Sequence, residues 1–277
     1  MSNIDEKKFQ INQDNNFEIY NDKNKEIKNL ILFLIISFGW SYLFWGIEII
    51  FKIRVFVAPF GPTLAAFFIT FIREGKKGVL KLLKRGFSFN FNKIWLIPSL
   101  LLMPSIIGLS YFIAILSGEK LSVPLIFSQP LIVVPAFFYI FFLGGPLAEE
   151  FGWRGYALGK LQIKYNAFTS SLILGVIWGL WHLPLFFMED QEIYKNIPFI
   201  GFMVGTILFS IIFTWIYNNT NSSIIPVLLL HTTGNFGHFI FPAFESKYAA
   251  LYSLILNLIV DILILVFFGL KKMIKKK

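Results

Sequence analysis

An all-α, polytopic membrane fold of about eight transmembrane helices is predicted by three features of the chain. Of its 277 residues, 56% are hydrophobic and only 15% charged, and the mean hydropathy is +0.67. Apolar runs of roughly 20 residues recur, the length an α-helix needs to cross the hydrocarbon core of a bilayer. Lysine and arginine gather beside the ends of those runs, as the positive-inside rule expects of cytoplasmic loops. The predicted organisation is a polar N-terminal tail, 1–29, an integral membrane domain, 30–270, and a basic C-terminal tail, 271–277.

The tail 1–29 is polar and mixed in charge, unlike a secretory signal, and is read as loosely attached. Eight spans follow, at 30–51, 55–72, 94–116, 136–160, 168–187, 198–217, 222–242 and 249–270. An even number puts both termini on one side. With that side cytoplasmic, only Lys52, Arg54, Lys120, Lys195 and Lys247 of the 25 Lys and Arg lie opposite. Both termini are therefore predicted inside. Segment 76–91 mixes lysines with apolar residues at helical spacing and predicts an interfacial helix. A docking surface for substrate is its other reading. Pro124 and Pro130 make 117–135 an irregular or re-entrant approach to the fourth span. Small residues four apart, at Gly155/Gly159, Gly175/Gly179 and Gly201/Gly205, suit closely packed helices.

Composition excludes some chemistry. Without cysteine there is no disulfide, thiol nucleophile or thiolate metal site. The net charge of +9 is distributed as topology determinants and contacts for anionic headgroups, not as a nucleic-acid surface. The expected partners are the bilayer and a peptide or protein substrate at the membrane.

The chemistry gathers in a core at about 138–242. Carboxylates at membrane depth cost about 2.5–3.5 kcal/mol each on insertion scales and usually face a bundle interior. Glu149 and Glu150 end an apolar run, with Arg154 four residues on. Residues four apart on a helix share a face, so Glu150 and Arg154 are predicted to pair. Glu149 then points about 100° away, free to face a cavity. His182 follows Trp178 by four residues, which lets the indole pack beside the imidazole, and His231 shares a face with Asn235. His238, near a span end, is assigned to the interface.

Depth makes these groups compatible. Counting the fifth span from 168, His182 lies roughly 21 Å deep, and His231, from 222, roughly 14 Å. Glu149 reaches roughly 22 Å only if the fourth span continues to about 164. Helix is therefore predicted for 150–164, with a kink at Pro146.

Two hydrolytic mechanisms use these atoms. In one, Glu149 is the general base, His182 positions or deprotonates water, and His231 and Asn235 donate to the oxyanion. Thr232 and Thr233 lie close, yet no activated Ser, Cys or Thr nucleophile is evident. In the other, Glu149, His182 and His231 bind a divalent metal such as zinc. No His-Glu-x-x-His pair is present, and the residues leave both mechanisms open.

At these positions the chain resembles the CPBP family (CAAX protease and bacteriocin-processing, also called Abi) of intramembrane metalloproteases, which includes type II CAAX prenyl endopeptidases and bacteriocin-immunity proteins. Glu149, Glu150 and Arg154 match its Glu-Glu-x-x-x-Arg motif, and His231 and Asn235 its His-x-x-x-Asn motif. His182 matches Phe-x-x-x-His, with Trp178 in place of Phe, a change expected to narrow the pocket and leave the chemistry intact. The resemblance implies an eight-helix endopeptidase whose first motif glutamate is catalytic and whose site opens to the cytoplasm. A non-catalytic immunity or scaffold protein is the alternative within the family. A proton-coupled transporter is disfavoured because no internal repeat is evident.

Overall fold

Helix α1, Asn3–Phe51, begins in the polar tail and enters the first span without a break. The computed structural model describes residues 3–189, 191, 194–195 and 197–274, with side chains from 24 onward. The tail backbone is thus helical from Asn3, where a loosely attached segment was expected. Within the bundle, α1 buries one narrow stripe, Leu30, Phe33, Ser37, Ser41 and Trp45. Spacings of three and four residues are those of a single helical face, and the rest of the helix meets lipid. An ion pair between Glu26 and Lys160 fastens its lower part to the fourth span.

Helix α2, Gly61–Gly86, contains the expected second span and the basic segment, divided at Gly75 (φ 63°, ψ −160°). Its membrane portion begins six residues later than expected, after the 3₁₀ turn Ala58–Phe60, and is roughly 21 Å long up to Gly75. Asn92 then caps a 3₁₀ turn by accepting from the Ile94 amide at 3.0 Å. Helix α3, Leu96–Leu116, follows. The irregular approach at 117–135 is present up to Gln129, with a short helix α4, Leu125–Ser128. Helix α5, Pro130–Leu143, starts earlier than the predicted span.

The fourth span remains helical to Lys164, as the depth argument requires, but is not uniform. The chain breaks at Gly144–Gly145, where Gly145 has φ 110°. Pro146 then opens helix α6, Pro146–Gly152. Proline at the first turn of a helix loses no intrahelical hydrogen bond, so the expected kink is instead a new start. A π-helical turn, Trp153–Leu158, leads into α7, Gly159–Lys164.

Helix α8, Ala167–Trp181, is capped by Asn166, which accepts from the Thr169 amide at 2.8 Å. It ends six residues earlier than predicted. Pro184 has no amide hydrogen to continue the α ladder, and Leu183–Phe187 is a 3₁₀ turn. Helices α9, Phe199–Asn219, α10, Ile225–Ile240, and α11, Lys247–Phe268, complete the bundle.

Among the described residues, six helices are long and apolar enough to cross a membrane: Asn24–Phe51, Lys93–Leu116, Pro130–Lys164, Ala167–Phe187, Phe199–Asn219 and Lys247–Phe268. The other two predicted spans correspond to α2 and α10. They pack inside the bundle but fall short of that length and composition, so the count of about eight is approximate.

Helix α8 lies along α9, α3 along α10, and α6 is enclosed by α2, α5 and α10. Of the predicted small-residue pairs, Gly175/Gly179 makes the close helix approach. A methyl on Gly175 would lie 2.6 Å from Ile207 Cα, and one on Gly179 2.5 Å from Met203 Sδ. Gly155 is crowded by Ile224 and Leu82 side chains, whereas Gly159 has nothing within 4 Å. Gly201 and Gly205 have only ordinary contacts.

One buried carboxyl group stands away from the rest. Asp261 of α11 is 1% exposed, and neither carboxylate oxygen has a hydrogen-bond partner among the described residues. Burying a polar group without a hydrogen-bond partner is costly, so an apolar side chain of similar volume removes that cost. Asp261→Leu is therefore expected to raise the thermal midpoint of the detergent-solubilised protein by several degrees. A lowered midpoint would show that the carboxylate has a structural use.

Candidate active site

Glu149 and Glu150 are adjacent on α6 and separate as helical geometry demands. Glu150 accepts from Arg154 Nη1 at 2.8 Å through Oε1 and at 3.1 Å through Oε2, the predicted pair. It also binds His231 Nδ1 at 2.8 Å. Side-chain exposure is 0% for Glu150 and Arg154 and 6% for His231. Glu150 thus ties α6 to α10, and only Nε2 of His231 is left for other partners. Sequence reasoning missed this link, because nothing local connects residues 81 apart.

Arg154 lies in the π-helical turn, whose six residues are all buried. Its guanidinium carbon is 4.6 Å from the Trp178 ring centroid and 4.0 Å from that of Phe213. Its Nε and Nη2 have no hydrogen-bond acceptor among the described residues. Aromatic faces supply part of the missing stabilisation, since a desolvated cation over a ring gains about 2 kcal/mol.

Glu149 is 4% exposed. Its Oε2 accepts from Trp178 Nε1 at 2.6 Å, so one oxygen is held and the carboxylate is less free than expected. The tryptophan therefore does more than narrow a pocket: it supplies a donor that phenylalanine lacks. The other oxygen lies against the backbone break. A methyl on Gly145 would sit 2.7 Å from Glu149 Oε1 and 4.0 Å from Asn235 Nδ2. Positive φ and this close approach both call for glycine there.

His182 closes α8 and is 7% exposed. Its Nδ1 is 2.8 Å from the Trp178 carbonyl oxygen. A carbonyl only accepts, so Nδ1 carries the hydrogen and the neutral ring keeps a lone pair on Nε2. Trp181, Phe202 and Tyr194 surround the ring, with centroids at 4.7, 5.1 and 6.2 Å. Trp178 is the hub: besides binding Glu149, its ring lies 5.6 Å from His182 and 5.5 Å from His231.

Asn235 is half-buried and donates from Nδ2 to the Gly144 carbonyl at 3.1 Å. One of its two amide hydrogens therefore clamps α10 to the break before α6. Thr232 and Thr233 donate to the backbone carbonyls of Leu228 at 2.7 Å and Ser99 at 3.1 Å, so neither hydroxyl is aimed as a nucleophile. His238 stacks on Phe244 at 3.9 Å in the last turn of α10.

Glu149, His182 and His231 are brought around one indole. Among the described residues, no three His, Asp or Glu side chains stand close enough to hold an ion. The Nδ1 atoms of both histidines are engaged, by the Trp178 carbonyl and by Glu150.

The family described as type II CAAX prenyl endopeptidase, Rce1-like, matches residues 131–237, from α5 to the end of the His231 and Asn235 cluster. The chain is also 30% identical, over 228 residues, to CAAX prenyl protease 2 of Methanococcus maripaludis. That alignment covers 76% of this chain and 82% of that protein. Together with the apolar helical bundle, these matches establish that the chain belongs to the Rce1-like type II CAAX prenyl endopeptidase family and is a multi-pass membrane endopeptidase.

Proposed function

We propose that the protein hydrolyses a peptide bond of a membrane-associated peptide or protein by direct attack of water. Glu149 takes a proton from the water, which is oriented by the lone pair on His182 Nε2. The oxygen then bonds to the carbonyl carbon. His231, held by Glu150 through Nδ1 and protonated also at Nε2, donates from Nε2 to the oxyanion, and the remaining amide hydrogen of Asn235 does the same. Glu149 next passes its proton to the leaving nitrogen as the C–N bond breaks, releasing an acid and an amine.

The observation carrying this reading is the convergence on Trp178, whose indole binds Glu149 and packs against both histidines. The name of the relative from Methanococcus maripaludis makes a prenylated peptide with a C-terminal CAAX sequence the first substrate to try. The distribution of Lys and Arg supports both termini on the cytoplasmic side, and the family resemblance implies access to the site from that side.

The test uses purified protein in proteoliposomes with such a peptide and mass spectrometry of the products. Cleavage within the CAAX sequence is expected, at a rate that changes by less than about twofold when a strong zinc chelator is added, since general acid–base groups carry the step. No cleavage of the prenylated peptide would sink the substrate assignment. Chelator-sensitive cleavage restored by zinc would sink the metal-free route.

A further inference from the structure

The helix after Gly75 carries three distinct faces. Gly78, Leu82 and Gly86, four apart, are buried against the bundle. Lys77, Lys81 and Lys84 lie along a second face, and Leu80, Leu83 and Phe87 along a third, all exposed. Lys76 is exposed at the start of the helix. None of these four lysines has an acidic partner among the described residues. An open cleft of about 460 Å³ is lined by Lys77, Leu80, Lys81, Lys84, Arg85 and Ser88. Exposed apolar residues beside unpaired lysines suit the boundary between acyl chains and headgroups.

Where this helix is bolted down matters more. A methyl on Gly86 would lie 2.1 Å from Phe151 Cζ, and Phe151 directly follows Glu150. Arg85 donates from Nη1 to the Gly155 carbonyl at 3.1 Å and from Nε to the Ser222 carbonyl at 3.2 Å. The Ile224 amide, at the start of α10, donates to the Arg85 carbonyl at 2.9 Å. Ser223 and Asn221 bind the carbonyls of Ser88 and Asn90 at 2.5 and 2.8 Å. The segment thus grips both elements that carry the site, the Glu149–Arg154 stretch and the head of the His231 helix.

We infer that the lysine face of 76–89 binds anionic phospholipid headgroups and that this contact holds the two site-bearing elements in working alignment. Charge complementarity selects the occupant: each lysine near an anionic membrane surface adds attraction that decays within a Debye length. The lipid contact stands on the surface geometry alone. Its effect on rate rests on the proteolytic reading above.

Two measurements separate these parts. Native mass spectrometry of the detergent-solubilised protein with added phosphatidylglycerol or phosphatidylcholine reads binding without any turnover. Wild type is expected to retain phosphatidylglycerol selectively. The combined variant Lys76→Gln, Lys77→Gln, Lys81→Gln, Lys84→Gln is expected to lose that selectivity with an unchanged thermal midpoint. Equal retention by the two proteins would overturn the lipid contact, whether or not a peptide is ever cleaved. In vesicles, adding phosphatidylglycerol to phosphatidylcholine is expected to raise kcat several-fold for wild type, with little change in KM, and to leave the variant unmoved. A change confined to KM, or an equal response of the variant, would overturn the alignment role.

Discussion

Glu150→Ala is expected to cost the protein its fold as well as its activity. The substitution leaves the Arg154 guanidinium at 0% exposure without its carboxylate and removes the anchor of His231 Nδ1. Breaking a buried ion pair by deleting one partner costs about 3–5 kcal/mol. Domain stabilities are only about 5–15 kcal/mol, so this is a large share. The Trp178 and Phe213 rings beside Arg154 remain and offset part of the loss. The expected result is a thermal midpoint lowered by many degrees and a broadened size-exclusion profile in detergent. Removing both charges, with Glu150→Leu and Arg154→Leu together, is expected to recover part of the stability, because no orphaned ion is left. An unchanged midpoint for Glu150→Ala would show that Arg154 is solvated or paired in some other way.

Glu149→Gln is expected to do the opposite: little to stability, nearly everything to turnover. Glutamine keeps the volume and an oxygen that can accept from Trp178 Nε1, so the link across to α8 survives. It cannot take a proton from water. General-base catalysis is worth about 10²–10⁴-fold, and peptide cleavage in vesicles should fall by about that factor while the melting curve stays in place. A rate within tenfold of wild type would remove Glu149 from the reaction.

Much of this site is legible from spacing. The i, i+4 rule yields the Glu150–Arg154 pair, and the helical rise places Glu149 level with His182 before any contact is known. Those rules act within one helix or against one bilayer, and they fail where partners come from distant parts of the chain. The Glu150–His231 bond is such a case. Trp178 is another: its position was noted, but its donor role depends on how α8 faces α6. Span boundaries fail for a different reason. Hydropathy measures composition and not path, so it cannot see that Gly145 breaks the helix before Pro146, that Pro184 stops α8 at Trp181, or that α10 is only 16 residues long.

The wide turn Trp153–Leu158 amounts to slack taken up inside a rod. A π-helical turn stores residue length beyond the α-helical count. Losing one residue there would restore even winding with the flanking helices still nearly in phase, and only the residues inside the turn would be re-aimed. The Gly155 carbonyl, which Arg85 grasps, lies within that stretch, as does Arg154. Regular winding would pull the catalytic anchor and the fastening of the surface helix out of phase together.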